Sequence, residues 1–390
     1  LKIGLEKLRD QPQLADQWGR CALLCNQASV TRDFKASWDV LRDMLGDRLV
    51  AFFGPQHGFH ATLQDNMIES NHGTGPYGLP VYSLYSETRE PTAEMLAGLD
   101  TIVIDIQIVG CRVYTFKYTI AGCLRAAKKH GKRVVVLDRS NPLGGVQVEG
   151  NVLDLSAKSF VGEFEIPLRH GLTPGEAAQL FNLGIGADLE VIAMDGWRPD
   201  SIWQQNPFRW VLTSPNLPTT ESLYVYPATV MFEGTNVSEG RGTGLPFQFI
   251  GAPFLDRDSF TKRAQELYAD SRGVYLRPAD FQPTSQKWAG TPCSGLQIHV
   301  LDPLHIDTFR LGLSLVKAAI DVGGDKFQWS QPPYEYDYSN LPINLILGHL
   351  NADQWCRDFD GTMSGHWRSG LDQYLEKIQK ILLYERDMQA

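Results

Sequence analysis

TIVIDI, residues 101–106, is the stretch whose reading decides the fold. It is apolar at successive positions, not alternate ones, and only Asp105 interrupts it. A strand of that kind is apolar on both faces and must be covered on both, which is the situation of an inner strand in a parallel sheet. Working outward, similar short runs recur at Cys21 to Cys25, Leu49 to Phe53, Leu79 to Leu84, Arg133 to Leu137 and Leu189 to Met194. Helical patterns fall between them. Ser37 to Leu45 places Trp38, Leu41 and Leu45 on one side, Pro91 to Leu96 opens a short helix, and Tyr118 to His130 forms a longer one. Thr173-Pro174-Gly175-Glu176 is a capping box with proline at the first helical position, starting a helix through Phe181.

This alternation predicts an α/β fold, with a Rossmann-like, doubly wound, mostly parallel sheet as the N-terminal domain over residues 1–212. Ser214 to Thr219 (SPNLPT) is held extended by its prolines and marks the boundary. Residues 213–390 read as a smaller α+β C-terminal domain. Its expected elements are helices at Asp258 to Tyr268, Thr308 to Ile320 and Leu371 to Leu383, and a half-buried strand at Leu296 to Leu301. Pro332 to Tyr338 (PPYEYDY) reads as an aromatic, acidic loop.

The chain has 390 residues and a net charge of −9, with no basic runs, which argues against nucleic acid or an anionic membrane as partner. No apolar run is long enough to cross a membrane. Six cysteines are spread without a CxxC pattern, so neither a structural zinc site nor a dense disulfide framework is expected. That leans towards the cytoplasm. A leader removed ahead of this numbering would place the protein in the periplasm or outside the cell.

In doubly wound sheets, ligands bind beyond the C-terminal strand ends. Polar groups follow four of the predicted strands there: Asn26 and Gln27, Gln56 and His57, Asp105 with Gln107, and Asp138 through Asn141. Neither GxGxxG after the first strand nor GxxxxGK[ST] occurs, so no nucleotide cofactor is expected. His57 and His60 lie in a glycine-broken loop without a helix to align them, and His57 is expected to hydrogen-bond, not to hold a metal. Ser29, Ser214 and Ser238 lie outside any GxSxG elbow, and Cys111 has no activating pattern around it.

The densest polar stretch is Phe232 to Pro253, FEGTNVSEGRGTGLPFQFIGAP. It combines Glu233, Asn236, Glu239, Arg241 and Thr243 on a backbone freed by glycines, which is the composition of a site loop. Carboxylates are the better catalytic candidates. Glu233 and Glu239 in this loop are first in line for acid, base or electrostatic roles, followed by Asp105 at a strand end and Glu149 after the Gly-Gly turn. Glycoside hydrolysis is one chemistry that uses two carboxylates across a cleft. Tyr82, Tyr85, Tyr114 and Tyr226 could stack on sugar faces.

The ordered motifs CNQASV (25–30), FGPQHGF (53–59), LPVYSLYSETREPTAEML (79–96), IDIQIVGCRVYTF (104–116), LDRSNPLGG (137–145), SFVGEFEIPLRHGLTPGE (159–176), SPNLPT and FEGTNVSEGRGTGLPF (232–247) resemble the NamZ-type exo-β-N-acetylmuramidase family. The resemblance runs over nearly the whole chain. It implies a cleft between two domains, removal of terminal β-linked N-acetylmuramic acid from peptidoglycan fragments, and no nucleotide cofactor. It implies a pocket lined by Asn26, Gln56, His57, Asp105, Gln107, Arg112, Tyr114, Asn141, Arg169, His170, Asn216 and Arg241. Arg112, Arg169 or Arg241 would answer the lactyl carboxylate of the sugar. Two positions depart from the common family pattern: Gln56 replaces the glutamate of PEHG, and Ile108 the second aspartate of DIQDVG. Both remove a carboxylate, and they support the alternative of a catalytically impaired muropeptide- or sugar-binding protein on the same scaffold.

Overall fold

The computed structural model describes residues 1–64, 67–269, 272–363 and 365–389. Its largest sheet has seven strands. In chain order these are β1 (Cys21–Leu24), β2 (Leu49–Gly54), β3 (Gly73–Thr74), β4 (Pro80–Ser83), β5 (Thr101–Ile104), β6 (Arg133–Leu137) and, after a separate hairpin of β7 (Glu149–Val152) and β8 (Pro167–Arg169), β9 (Asp188–Ile192). The spatial order is β3-β4-β2-β1-β5-β6-β9, and every pairing is parallel except that of β3 with β4. All four residues of β1 and all four of β5 are buried, as an inner strand covered on both faces requires. The chain moves from β1 to one side through β2 and β4, then crosses back to β5 on the other side. The gap between β1 and β5 is therefore the topological switch point.

Helices α1 (Gly4–Asp10) and α2 (Ser37–Leu45) pack together on this sheet, and α3 (Phe116–His130) and α4 (Pro174–Ile185) form a second pair. The capping box of α4 is present, with Thr173 Oγ1 accepting from Glu176 N and Glu176 Oε2 accepting from Thr173 N. The helix expected at 91–96 is instead a run of turns. Its bonds mix i+4 and i+3 spacings, and Gly98, in the left-handed region, ends it before a second turn can form.

The second half contains a three-stranded antiparallel sheet, ordered β10 (Phe249–Ala252), β12 (Cys293–Val300), β11 (Val274–Phe281). Around it pack α5 (Thr220–Thr229), α6 (Arg257–Leu267) and α7 (Thr308–Gly323), followed by α8 (Pro342–Leu347), α9 (Ala352–Asp358) and α10 (Leu371–Ile378). α10 stops short of the expected Leu383, because the chain beyond it is bonded to the first domain. Leu383 N donates to Glu176, Tyr384 Oη donates to Asp138 at 2.6 Å, and the buried Arg386 pairs with Glu176 at 2.7 Å. Among the described residues, no helix is long and apolar enough to cross a membrane.

Candidate active site

The site loop begins just after α5 and pairs with its own strand β10 through an antiparallel bridge of Ser238 with Gly251. Gly240 and Gly242 both have φ of 76°, where a side chain would be strained, and a Cβ on Gly242 would lie 2.5 Å from the Ser285 carbonyl oxygen. These turns bring Glu233, Glu239 and Arg241 together. Arg241 is buried between two carboxylates: it bonds Glu233, and its Nε lies 3.3 Å from Glu239. Behind that pair, Lys287 Nζ donates to Glu239 at 2.9 Å and to the Phe232 carbonyl at 2.6 Å. Burial pushes the Glu239 carboxyl up, but Lys287 and Arg241 outweigh burial and hold it below its ordinary range.

Glu233 faces a pocket at the C-terminal end of β2. The pocket is also lined by Gln56, His57, Tyr114, Thr115, Asn216, Tyr226, Arg241, Tyr334 and Glu335. The pocket is partly open to solvent, and the space within it and at its mouth is about 420 Å³. Tyr334 Oη donates to Glu233 at 2.7 Å. Glu335 is 3% exposed and accepts from Tyr85 Oη at 2.8 Å and from Gln56 Nε2 at 3.1 Å. The Gln56 amide is oriented by Thr115, whose hydroxyl donates to its oxygen. Burial pushes the Glu335 carboxyl up. Its hydrogen bonds to Tyr85 and Gln56 oppose that rise, and the charge of Glu233 adds to it, leaving Glu335 above the usual carboxylate range. Glu335 and Tyr336 both sit at positive φ, 45° and 68°. Such backbone costs energy in a non-glycine residue and persists where surrounding contacts over-determine it. Here those contacts are the Glu335 hydrogen bonds and the stacking of Arg89 on Tyr336, 4.5 Å from guanidinium carbon to ring centroid.

His57 is neutral at ordinary pH. Burial, opposed by its bond to the Leu63 carbonyl, lowers it to about 4. Its Nδ1–H donates to Leu63 O at 2.6 Å, which leaves Nε2 to accept from Ser214 Oγ at 3.3 Å. Among the described residues, no group of three or more His, Cys, Asp or Glu side chains is placed to hold a metal ion.

Of the residues anticipated for the site, Gln56, His57, Tyr114, Asn216, Tyr226, Glu233 and Arg241 meet in this pocket. The others do not line it. Asp105 is fully buried and held bidentately by Arg139, at 2.5 and 2.7 Å. Gln107 donates to the Ile108 and Ser140 carbonyls, Asn26 to the Thr213 carbonyl and Asn141 to the Leu172 carbonyl, each closing a strand-end loop. Arg112 is sealed from solvent, bonding the carbonyls of Asn151, Ile166 and Ile346. Arg169 pairs with Glu149 and donates to the Leu143 carbonyl, and His170 is fully buried beside it in sequence. Neither Arg112 nor Arg169 can meet a substrate carboxylate from these positions. Glu239 stands behind Arg241, outside the lining. Glu335 is the pocket carboxylate that sequence reasoning passed over. Its signal was a lone glutamate between two tyrosines after a Pro-Pro step.

Comparison with known proteins agrees across the chain. Family models described as exo-beta-N-acetylmuramidase NamZ match residues 21–221 (N-terminal) and 224–384 (C-terminal). A peptidoglycan beta-N-acetylmuramidase NamZ from Bacillus subtilis (strain 168) is 43% identical over 331 residues, 84% of this chain and 80% of that protein. Two crystal structures of DUF1343 family proteins from Bacteroides fragilis NCTC 9343 superpose along the chain. One has a TM-score of 0.87 and 28% identity, covering 98% of this chain and 99% of the other. The second has a TM-score of 0.76 and 25% identity, covering 99% of both.

Proposed function

This chain belongs to the NamZ exo-β-N-acetylmuramidase family, and from that membership we propose that it hydrolyses the terminal β-linked N-acetylmuramic acid of peptidoglycan fragments, with Glu335 as general acid. The observation that carries the assignment of Glu335 is the pairing of two carboxylates with unlike surroundings in one pocket. Glu335 is buried, donated to by neutral groups and held above the ordinary range, whereas Glu233 is bound to a guanidinium. Such pairs divide acid work from charge stabilisation. Glu335 passes its proton to the glycosidic oxygen as the bond from that oxygen to C1 breaks. The carboxylate of Glu233 stabilises the positive charge that develops at the sugar ring, and water adds to C1, giving up a proton that restores Glu335 to its acid form. Gln56 does not enter this proton transfer; it fixes the position of Glu335. Glu239 acts through Arg241 and Lys287 as a positioning residue.

The test is release of nitrophenol from p-nitrophenyl β-N-acetylmuramide, with the β-N-acetylglucosaminide beside it. Cleavage of the muramide in preference to the glucosaminide is the expected result. Binding of the muramide without release of nitrophenol would favour the sugar-binding alternative that Gln56 raises.

Muramic acid differs from glucosamine by a lactyl ether that ends in a carboxylate, so the preference needs a cation. Arg241 is already held by two carboxylates, so we assign this role to Arg89, which lies beside the pocket lining and not in it. Its guanidinium lies 4.2 Å from the ring centroid of Tyr85, the residue bonded to Glu335. Its one resolved carboxylate contact among the described residues is Glu69, at 3.9 Å and half-exposed. Arg89→Gln is expected to reduce the muramide-to-glucosaminide ratio of kcat/KM by roughly tenfold, the effect of losing one charge-assisted contact. An unchanged ratio would remove Arg89 from substrate recognition.

A further inference from the structure

Lys117 is a fully buried cation at the second position of α3. Burial pulls it towards the neutral form, and the positive end of the helix dipole opposes its charge as well. Among the described residues no carboxylate pairs with it. The titratable groups around it are the equally buried Arg112, the Cys111 thiol, the His170 imidazole and Tyr118, whose ring centroid lies 4.8 Å from Nζ. What answers the ammonium is backbone: Nζ donates to the carbonyls of Cys111, Arg112 and Tyr114 at 2.7, 2.9 and 2.5 Å. Three acceptors use all three N–H groups of an ammonium, so the loop is wrapped around this side chain as around a bound cation.

The wrapped loop runs into the pocket lining through Tyr114 and Thr115. Thr115 is the N-cap of α3, where a threonine hydroxyl ordinarily accepts from the free N–H groups of the first turn. It makes no capping bond. Its hydroxyl donates instead to the Gln56 side-chain oxygen, and the Gln56 amide nitrogen is thereby turned to Glu335. We propose that Lys117 is a positioning residue for the acid: its ammonium holds the loop from Cys111 to Thr115 in the shape that keeps the Thr115 hydroxyl on Gln56, and so the Gln56 amide nitrogen on Glu335. Two local rules are broken to build this chain, a cation at a helix N-terminus and a cap residue that does not cap, and both breaks point into the pocket. The chain also has a sign. The Gln56 bond opposes the rise of Glu335, so loosening it raises Glu335 further, among the unchanged groups Tyr85, Glu233, Tyr334 and Arg89.

The inference rests on Glu335 acting as the acid, and the test separates the two. Wild type, Thr115→Val, Thr115→Ser and Lys117→Met are compared on p-nitrophenyl β-N-acetylmuramide across pH. Thr115→Val and Lys117→Met are each expected to lower kcat by about tenfold, the effect of one lost hydrogen bond, with KM within about twofold. Both should move the alkaline limb of kcat to higher pH. Thr115→Ser, which keeps the hydroxyl, should retain the wild-type limb. For Lys117→Ala, n-propylammonium replaces the excised part of the side chain with its charge. It is expected to raise Tm and restore kcat in that variant and to do neither in wild type, whereas n-propanol, neutral and of like size, should not. The alanine variant with added amine also serves if Lys117→Met does not fold. An unmoved limb in Thr115→Val, or equal rescue by the alcohol, would overturn the role of Lys117 and leave the muramidase reading intact. Wild type that leaves the glycoside uncleaved would overturn that reading and the inference with it.

Discussion

Replacing Glu335 by glutamine lowers kcat by about a thousandfold while KM stays within a few-fold, if Glu335 is the proton donor; general acid catalysis typically contributes 10²–10⁴. The substitution keeps volume and planarity. An amide can still accept from Gln56 Nε2 through its oxygen, and the Tyr85 hydroxyl can rotate to accept from the amide nitrogen, so the local packing survives. The proton does not survive. The pH profile supplies a second readout. Glu335 must be protonated to act, so wild-type activity is present below its raised pKa and falls as pH rises through it. In Glu335→Gln the residual rate loses that alkaline limb. Retention of more than a third of wild-type kcat would place the acid elsewhere.

Glu233→Gln is the second large effect. Removing the carboxylate should lower kcat by about a hundredfold, because charge stabilisation in a buried site is worth several kcal/mol. It should also move the alkaline limb, in a direction the structure fixes. The negative charge of Glu233 is one of the forces that raise Glu335, so its removal lowers the Glu335 pKa and shifts the limb to lower pH. A limb that stays in place would dissociate the two carboxylates. One that moves up would mean that the loss of the Glu233 ion pair had reorganised Arg241.

The parallel sheet was legible because its signal is local: TIVIDI and RVVVL are apolar at consecutive positions, and only burial on both faces explains that. The capping box of α4 was legible for the same reason. The site divided along a different line. Glu233 and Arg241 lie eight residues apart in one glycine-rich loop, so their meeting is written into a single segment. Asp105 and Arg112 look equally functional in sequence, but their partners lie elsewhere: Arg139 takes up the one, and backbone carbonyls as distant as Ile346 surround the other. A charged residue shows its own chemistry in the sequence and does not show which distant segment already satisfies it. Glu335 was missed for the converse reason. PPYEYDY looks like an exposed acidic loop until the fold lays it against Gln56 and Tyr85. β11, also unanticipated, alternates burial along most of its length, but Pro278 interrupts the pattern that would announce it.

Gln56 and Glu335 are joined by one hydrogen bond across 279 positions of chain. During synthesis, a ribosome-bound chain carries the sheet and the Arg241 loop long before Glu335 leaves the exit tunnel. The Tyr384 and Arg386 contacts that tie the tail to the first domain come later still. With Glu335 as the acid proposed above, the activity is withheld from every truncated product that ends before residue 335, however well its N-terminal sheet has folded. Two separately made fragments divided near residue 300 would each be inert and would recover turnover only on association, which makes the enzyme a natural candidate for a split-protein reporter.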